Sequence, residues 1–123
     1  MPRHYVVLSR LLFVASVLGT TDLARTGADY PVVTEVNDKV SHVAAFFVLG
    51  LLLDYSFPNR PYGAIKIIVL LAYGALLELA QSTTPARDPS LWDLGADLAG
   101  LLLYALTIPL LRYLPVVRRR WTT

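Results

Sequence analysis

Four apolar stretches, residues 5–20, 40–57, 63–80 and 94–114, succeed one another along the chain, separated by connections that carry helix-ending residues. Each approaches the ~20 residues that an α-helix needs to cross the hydrocarbon core of a bilayer. Backbone groups in lipid must be hydrogen-bonded within the protein, and a helix does this inside a single segment. The breaks between the stretches are rich in helix-ending residues: Pro31 in the first, "FPNRPYG" in the second and "STTPARDPS" in the third. A chain of 123 residues divided in this way has no room for a separate soluble domain. The expected fold is therefore all-α: one domain over residues 1–123, a polytopic bundle of four transmembrane helices.

Composition agrees. Only 16% of the residues are charged, against about a quarter in an average soluble domain, and the mean hydropathy is +0.54. The absence of cysteine excludes disulfides, thiolate catalysis and cysteine-based metal sites. The formal charge of +2 does not indicate nucleic acid, because the basic residues concentrate in the "RRRW" tail and near helix ends.

The first stretch is the shortest, and Arg10 interrupts it. "MPRHYVVLSRLLFVASVLG" has features of a secretory signal, with Arg3 in a basic region and small residues near Gly19. The split that Arg10 makes favours a retained helix, its guanidinium sheltered by neighbours or reaching the headgroups.

Orientation follows from lysine and arginine. With the N-terminus inside, Arg3, Arg60, Lys66, Arg112 and Arg118 to Arg120 fall on the cytoplasmic side, and the outer loops hold Arg25, Lys39 and Arg87. The expectation is a multi-pass protein of the cytoplasmic membrane with both termini inside.

That topology gathers scattered polar residues at one membrane face. Asp38, Lys39 and His42 begin the second helix, Glu78 and Gln81 end the third, Arg87 lies in the following loop, and Asp93 and Asp97 begin the fourth. Residues three or four apart share a helix face, so each helix end carries a polar stripe. Such stripes are costly in lipid and should face one another or a wet cavity. Gly95 with Ala99, and Ala96 with Gly100, are small-xxx-small pairs that let the fourth helix approach a neighbour. At the other face, Asp54 and Lys66 suggest one interfacial ion pair or two groups reaching water, a structural feature either way.

Each polar residue admits a bland and a sharp reading. His42 is an interfacial hydrogen-bonding group or a proton carrier. Glu78 is a carboxylate paired with Lys39 or Arg87, or part of a site; Gln81 orients it or caps the helix. Arg87 can clamp phosphate or carboxylate through its planar fork, or pair with Asp88. Asp93 suits a first helical turn, whereas Asp97 lies a turn deeper, where capping does not explain it. Trp92 reads as an interface anchor. His42, Glu78, Asp93 and Asp97 are ligand types that suit a divalent cation. No motif such as HExxH accompanies them, so neither metal nor cofactor is assigned.

"NDKVSHVAAFFVLGLLLD" followed by "YGALLELAQSTTPARDPSLWDLGADLAGLLLY" resembles the VanZ-like family of small bacterial membrane proteins. That family's pattern is DK-x-x-H with a following phenylalanine, E-x-x-Q, a loop arginine, and D-x-x-x-N followed by glycine. The likeness runs from Asn37 to about Tyr104 and puts Asp38, Lys39, His42, Phe46, Glu78, Gln81, Arg87, Asp93 and Gly100 on motif positions. Asp97 stands where many relatives carry asparagine, and "PARDPS" differs from the usual proline-glycine-arginine-serine loop. The family takes its name from a protein linked to resistance to teicoplanin, so the resemblance implies a cell-envelope role at the outer face; it supplies no reaction.

Three functional expectations follow. In the first, an outer-face pocket recognises an anionic lipid-linked or cell-envelope molecule among the surrounding membrane lipids, with Asp38, Lys39, Gln81, Arg87, Asp93 and Asp97 as binding residues. In the second, the chain is a membrane-embedded enzyme for phosphoryl or related group transfer on a lipid, with His42 and Glu78 catalytic. In the third, the stripes pair within a structural bundle that has no ligand.

Overall fold

A computed structural model describes residues 2–26, 35–81, 91–115 and 117–121, with side chains described outside 23–26, 35–38, 80–81, 91–92, 117 and 119. The described residues form four α-helices, α1 (Arg3–Thr26), α2 (Glu35–Ser56), α3 (Ala64–Gln81) and α4 (Leu91–Leu111), followed by a single 3-10 turn, Val117–Arg120. Arg3–Asp22, Lys39–Ser56 and Asp93–Leu111 are long and apolar enough to cross a membrane.

Local chemistry explains the helix limits and the tolerated polar groups. Phe57 precedes Pro58, and the proline ring disfavours helical geometry in the residue before it, so α2 stops at Ser56. Pro109 lies inside α4 but near its end, where the break in helical bonding is confined to the last turns. Hydroxyls within the apolar runs bond back along their own helices: Ser9 Oγ donates to the Tyr5 carbonyl at 2.8 Å, and Ser56 Oγ to the Leu52 carbonyl at 2.6 Å.

The faces turned away from the other helices are strongly apolar. Leu106 is 73% exposed and Ile65 70%, and Leu11, Leu18, Leu76 and Leu79 are similarly uncovered. Contiguous apolar surface of this kind is unfavourable in water and suits lipid contact.

The core is small and lies where α2 meets α3 and α4, with Phe46, Leu49, Leu53, Leu70 and Leu101 buried. The succession of contacts Lys39 to Asp93, His42 to Asp97 and Asp54 to Tyr104 shows that α2 and α4 run parallel. Gly100 permits their approach, because a Cβ there would collide with the Val43 carbonyl and stand 2.9 Å from the Phe47 nitrogen. The small pair Ala96 and Gly100 thus faces α2 through its glycine, as the spacing suggests. Gly95 does not repeat this, since a Cβ there would meet nothing within 4 Å.

α1 is held to the bundle by polar contacts near both of its ends. Arg10 Nε donates to the Ser56 carbonyl at 2.9 Å, and its guanidinium lies 5.0 Å from the centre of the Phe57 ring. The charge that interrupts the first apolar stretch therefore finds a neighbour. Farther along, the Thr21 hydroxyl meets the Tyr73 hydroxyl of α3 at 2.7 Å.

The end of the bundle where α2 stops is closed by a buried ionic cluster. Asp54 is fully buried, and its Oδ1 receives Lys66 Nζ at 2.8 Å and a terminal nitrogen of Arg120 at 2.9 Å. Its Oδ2 accepts from the Tyr104 hydroxyl at 2.6 Å. Arg120 also donates to the Asp54, Pro58 and Arg60 carbonyls, at 2.9, 2.7 and 2.6 Å. Lys66 donates to the Arg60 carbonyl at 2.7 Å and the Phe57 carbonyl at 3.1 Å. The expected interfacial pair, or pair of groups reaching water, is instead a buried junction, and Arg120 is part of it rather than of a solvated basic tail. Trp121 packs edge-on against Tyr55, with ring centres 5.8 Å apart.

Candidate functional site

Five of the polar residues singled out in the sequence meet at the opposite end of the bundle: Lys39 and His42 from α2, Glu78 from α3, and Asp93 and Asp97 from α4. Their placement follows from the packing already described. α2 and α4 are parallel and in close contact, so their first turns lie side by side, and α3 brings its last turns to the same end.

Lys39 Nζ forms an ion pair with Asp93 Oδ1. Asp93 lies in the first turn of α4, where its charge also complements the helix dipole, so the cap-like and the site readings apply to the same carboxylate. His42 Nδ1 lies 2.7 Å from Asp97 Oδ1, and the Asp97 side chain is only 1% exposed. A carboxylate in that position favours a proton on Nδ1 and leaves the imidazole lone pair on Nε2. It also fixes the ring plane, which makes His42 a preoriented base or ligand.

Glu78 completes the group. One ligand atom each from His42, Glu78 and Asp93 lies within 4.8 Å of the other two. Glu78 and His42 are partly exposed and Asp93 is buried, so the cluster is sheltered and remains reachable. Lys39, one of the two cations that the sequence offers to Glu78, has Asp93 as a partner. In this cluster the carboxylates of Glu78, Asp93 and Asp97 accompany Lys39 and His42.

The fold also supports the cluster through a residue that sequence reasoning passed over. A Cβ on Gly74 would lie 2.6 Å from Asp97 Oδ2 and 3.2 Å from Phe46 Cζ. The bare backbone of α3 therefore makes the space that the Asp97 carboxylate occupies. The signal was available in "YGALLE", where a glycine stands four residues before Glu78 and so on the same helix face.

The side chains of three expected binding residues lie outside those described. Asp38 and Gln81 are placed on α2 and α3, but their side chains, like that of Trp92, lie outside the described residues, and Arg87 lies outside them altogether.

No family model, curated protein or solved structure matches the chain. The arrangement of these side chains, rather than kinship, has to carry any functional reading.

Proposed function

We propose that the chain is a VanZ-like, four-span protein of the cytoplasmic membrane whose α2, α3 and α4 polar ends form a site for an anionic lipid-linked or cell-envelope molecule. The observation that carries this reading is the meeting of Lys39, His42, Glu78, Asp93 and Asp97 from three helices. Polar groups scattered over the sequence would otherwise be costly at a membrane helix end. In the oriented protein this end faces outward. Support comes from the opposite end, where Arg3, Arg60, Lys66, Arg112 and Arg118 to Arg120 give the positive charge expected of a cytoplasmic face. Lys39 and Arg87 supply positive charge to the ligand, and Asp38, Gln81, Asp93 and Asp97 shape the pocket.

The His42–Asp97 contact favours a second reading, an enzyme acting on a lipid substrate. His42 is then the general base, Glu78 a second catalytic group and Asp97 the residue that positions the imidazole, in a phosphoryl or related group transfer.

Both readings are tested by His42→Ala, Glu78→Gln and Arg87→Ala in a cell without its own relatives, scored for membrane abundance and for envelope phenotype, including lipoglycopeptide susceptibility. Normal abundance with lost phenotype is the expected result. Loss of abundance in step with phenotype overturns the site and leaves a bundle held together by its polar stripes. If the three variants pass, purified wild-type protein that turns over a lipid phosphate, with turnover lost in His42→Ala, selects the enzyme.

A further inference from the structure

The proposed ligand is anionic, yet the site brings the carboxylates of Glu78 and Asp93 close to the same point. A phosphate or carboxylate entering between Glu78 and Asp93 would meet like charge in a poorly screened setting. We infer that His42, Glu78 and Asp93 hold a divalent cation, which in turn binds the ligand's anionic group. The cation site stands on the geometry of the cluster; its role toward the ligand rests on the reading given above.

Three features point to the cation. The three candidate ligand atoms lie within 4.8 Å of one another, so small rotamer adjustments bring them to the ~2.0–2.2 Å of transition-metal coordination. They come from three different helices, so the bundle fixes their spacing and no loop has to fold around the ion. Asp97 holds Nδ1 of His42 at 2.7 Å, the carboxylate–imidazole relation that orients a metal-binding histidine and leaves Nε2 as its ligand atom. One imidazole with two carboxylates suits Mn2+ or Zn2+ better than Ca2+, which prefers an all-oxygen shell. Protein carboxylates on one side and a lipid phosphate on the other is a familiar way for a divalent ion to complete its coordination.

Lys39 gives the proposal a signature that a purely structural cluster lacks. Its ammonium pairs with Asp93 and therefore competes with a metal for that carboxylate. Replacing it should strengthen metal binding, although it removes an ion pair.

The test uses the full chain, purified in detergent and stripped with chelator, titrated with Mn2+ and with Zn2+ and read by calorimetry and by the paramagnetic signal of bound Mn2+. One ion per chain is expected, bound at least tenfold more weakly by His42→Gln, Glu78→Gln and Asp93→Asn. Asp97→Asn should lose about 10- to 100-fold through the imidazole's orientation, and Lys39→Met should bind several-fold tighter. Helical content and elution volume equal to wild type identify the variants that count. No stoichiometric ion in either wild type or folded Lys39→Met overturns the proposal, as does binding that the ligand substitutions leave unchanged.

A second arm separates the cation from the ligand: binding of a polyprenyl phosphate in phosphatidylcholine nanodiscs, with Mn2+ and with chelator. Retention that needs Mn2+ supports both ideas. Retention indifferent to chelator overturns the cation's role and keeps the anionic site. A bound ion without lipid retention keeps the cation site and overturns the ligand reading.

Discussion

Asp97 touches an imidazole with one oxygen and lies against a bare stretch of α3 backbone with the other, so its surroundings constrain it from two sides. Gly74→Ala should push the carboxylate off that backbone, with an overpacking cost of about 1–3 kcal/mol and a weakened His42–Asp97 contact; thermal unfolding in detergent and the pH response of the His42 ring signals in NMR read the two effects. Asp54 is the corresponding residue at the other end. Asp54→Ala strands Lys66 and Arg120 beside each other, and breaking a buried pair of this kind costs about 3–5 kcal/mol, seen as a lower melting temperature and lower membrane abundance. The two carboxylates were not equally legible in the sequence. Asp97 stood out because it lies one turn too deep to cap its helix. Asp54 looked like an interfacial group, because a helix pattern shows the depth of a residue and not what later folds over it. Arg120, far along the chain in a basic run, gave no local sign that it would be buried.

At the scale of elements, α2 and α4 are joined by backbone proximity as much as by side chains. Gly100→Ala would set a Cβ against the Val43 carbonyl and the Phe47 nitrogen, main-chain atoms that cannot rotate away. It should lower the melting temperature more than Gly95→Ala, whose Cβ meets open space. Spacing alone showed both pairs of small residues but not which pair faces a neighbour, since that depends on helix rotation. The connection between α2 and α3 is tied down by Tyr62, whose hydroxyl donates to the Leu101 carbonyl at 2.8 Å. Burial, with the Asp54 carboxylate nearby, raises the pKa of this hydroxyl. An unfolded tyrosine ionises at pH ~10, whereas the folded one keeps its proton to higher pH. The stabilisation from Tyr62 is therefore present below that point and is lost as the pH rises through the folded value. Unfolding followed across the alkaline range should show a shallower decline in Tyr62→Phe than in wild type.

For the whole molecule, the apolar runs and their breakers made the all-helical architecture of the described residues legible, and three of the helices meet the requirements for a membrane span. The absence of cysteine makes orientation directly measurable. A single cysteine at Asp88 should react with an impermeant reagent from outside the cell, and one at Arg118 only after the membrane is opened; the reverse pattern would turn the proposed site to the cytoplasm. The clustering of five polar side chains could be anticipated because depth in a membrane is a one-dimensional coordinate that hydropathy supplies. Their pairing could not, because it depends on how the helices rotate about their own axes. The closure at the other end has a consequence for biogenesis. Asp54 and Lys66 are only 12 residues apart and can meet as soon as the α2–α3 hairpin exists, whereas Arg120 follows Asp54 by 66 residues. During vectorial synthesis, earlier segments begin to organise before later ones are made. The hairpin thus begins as a neutral pair, and Arg120 can join it only once α4 has emerged.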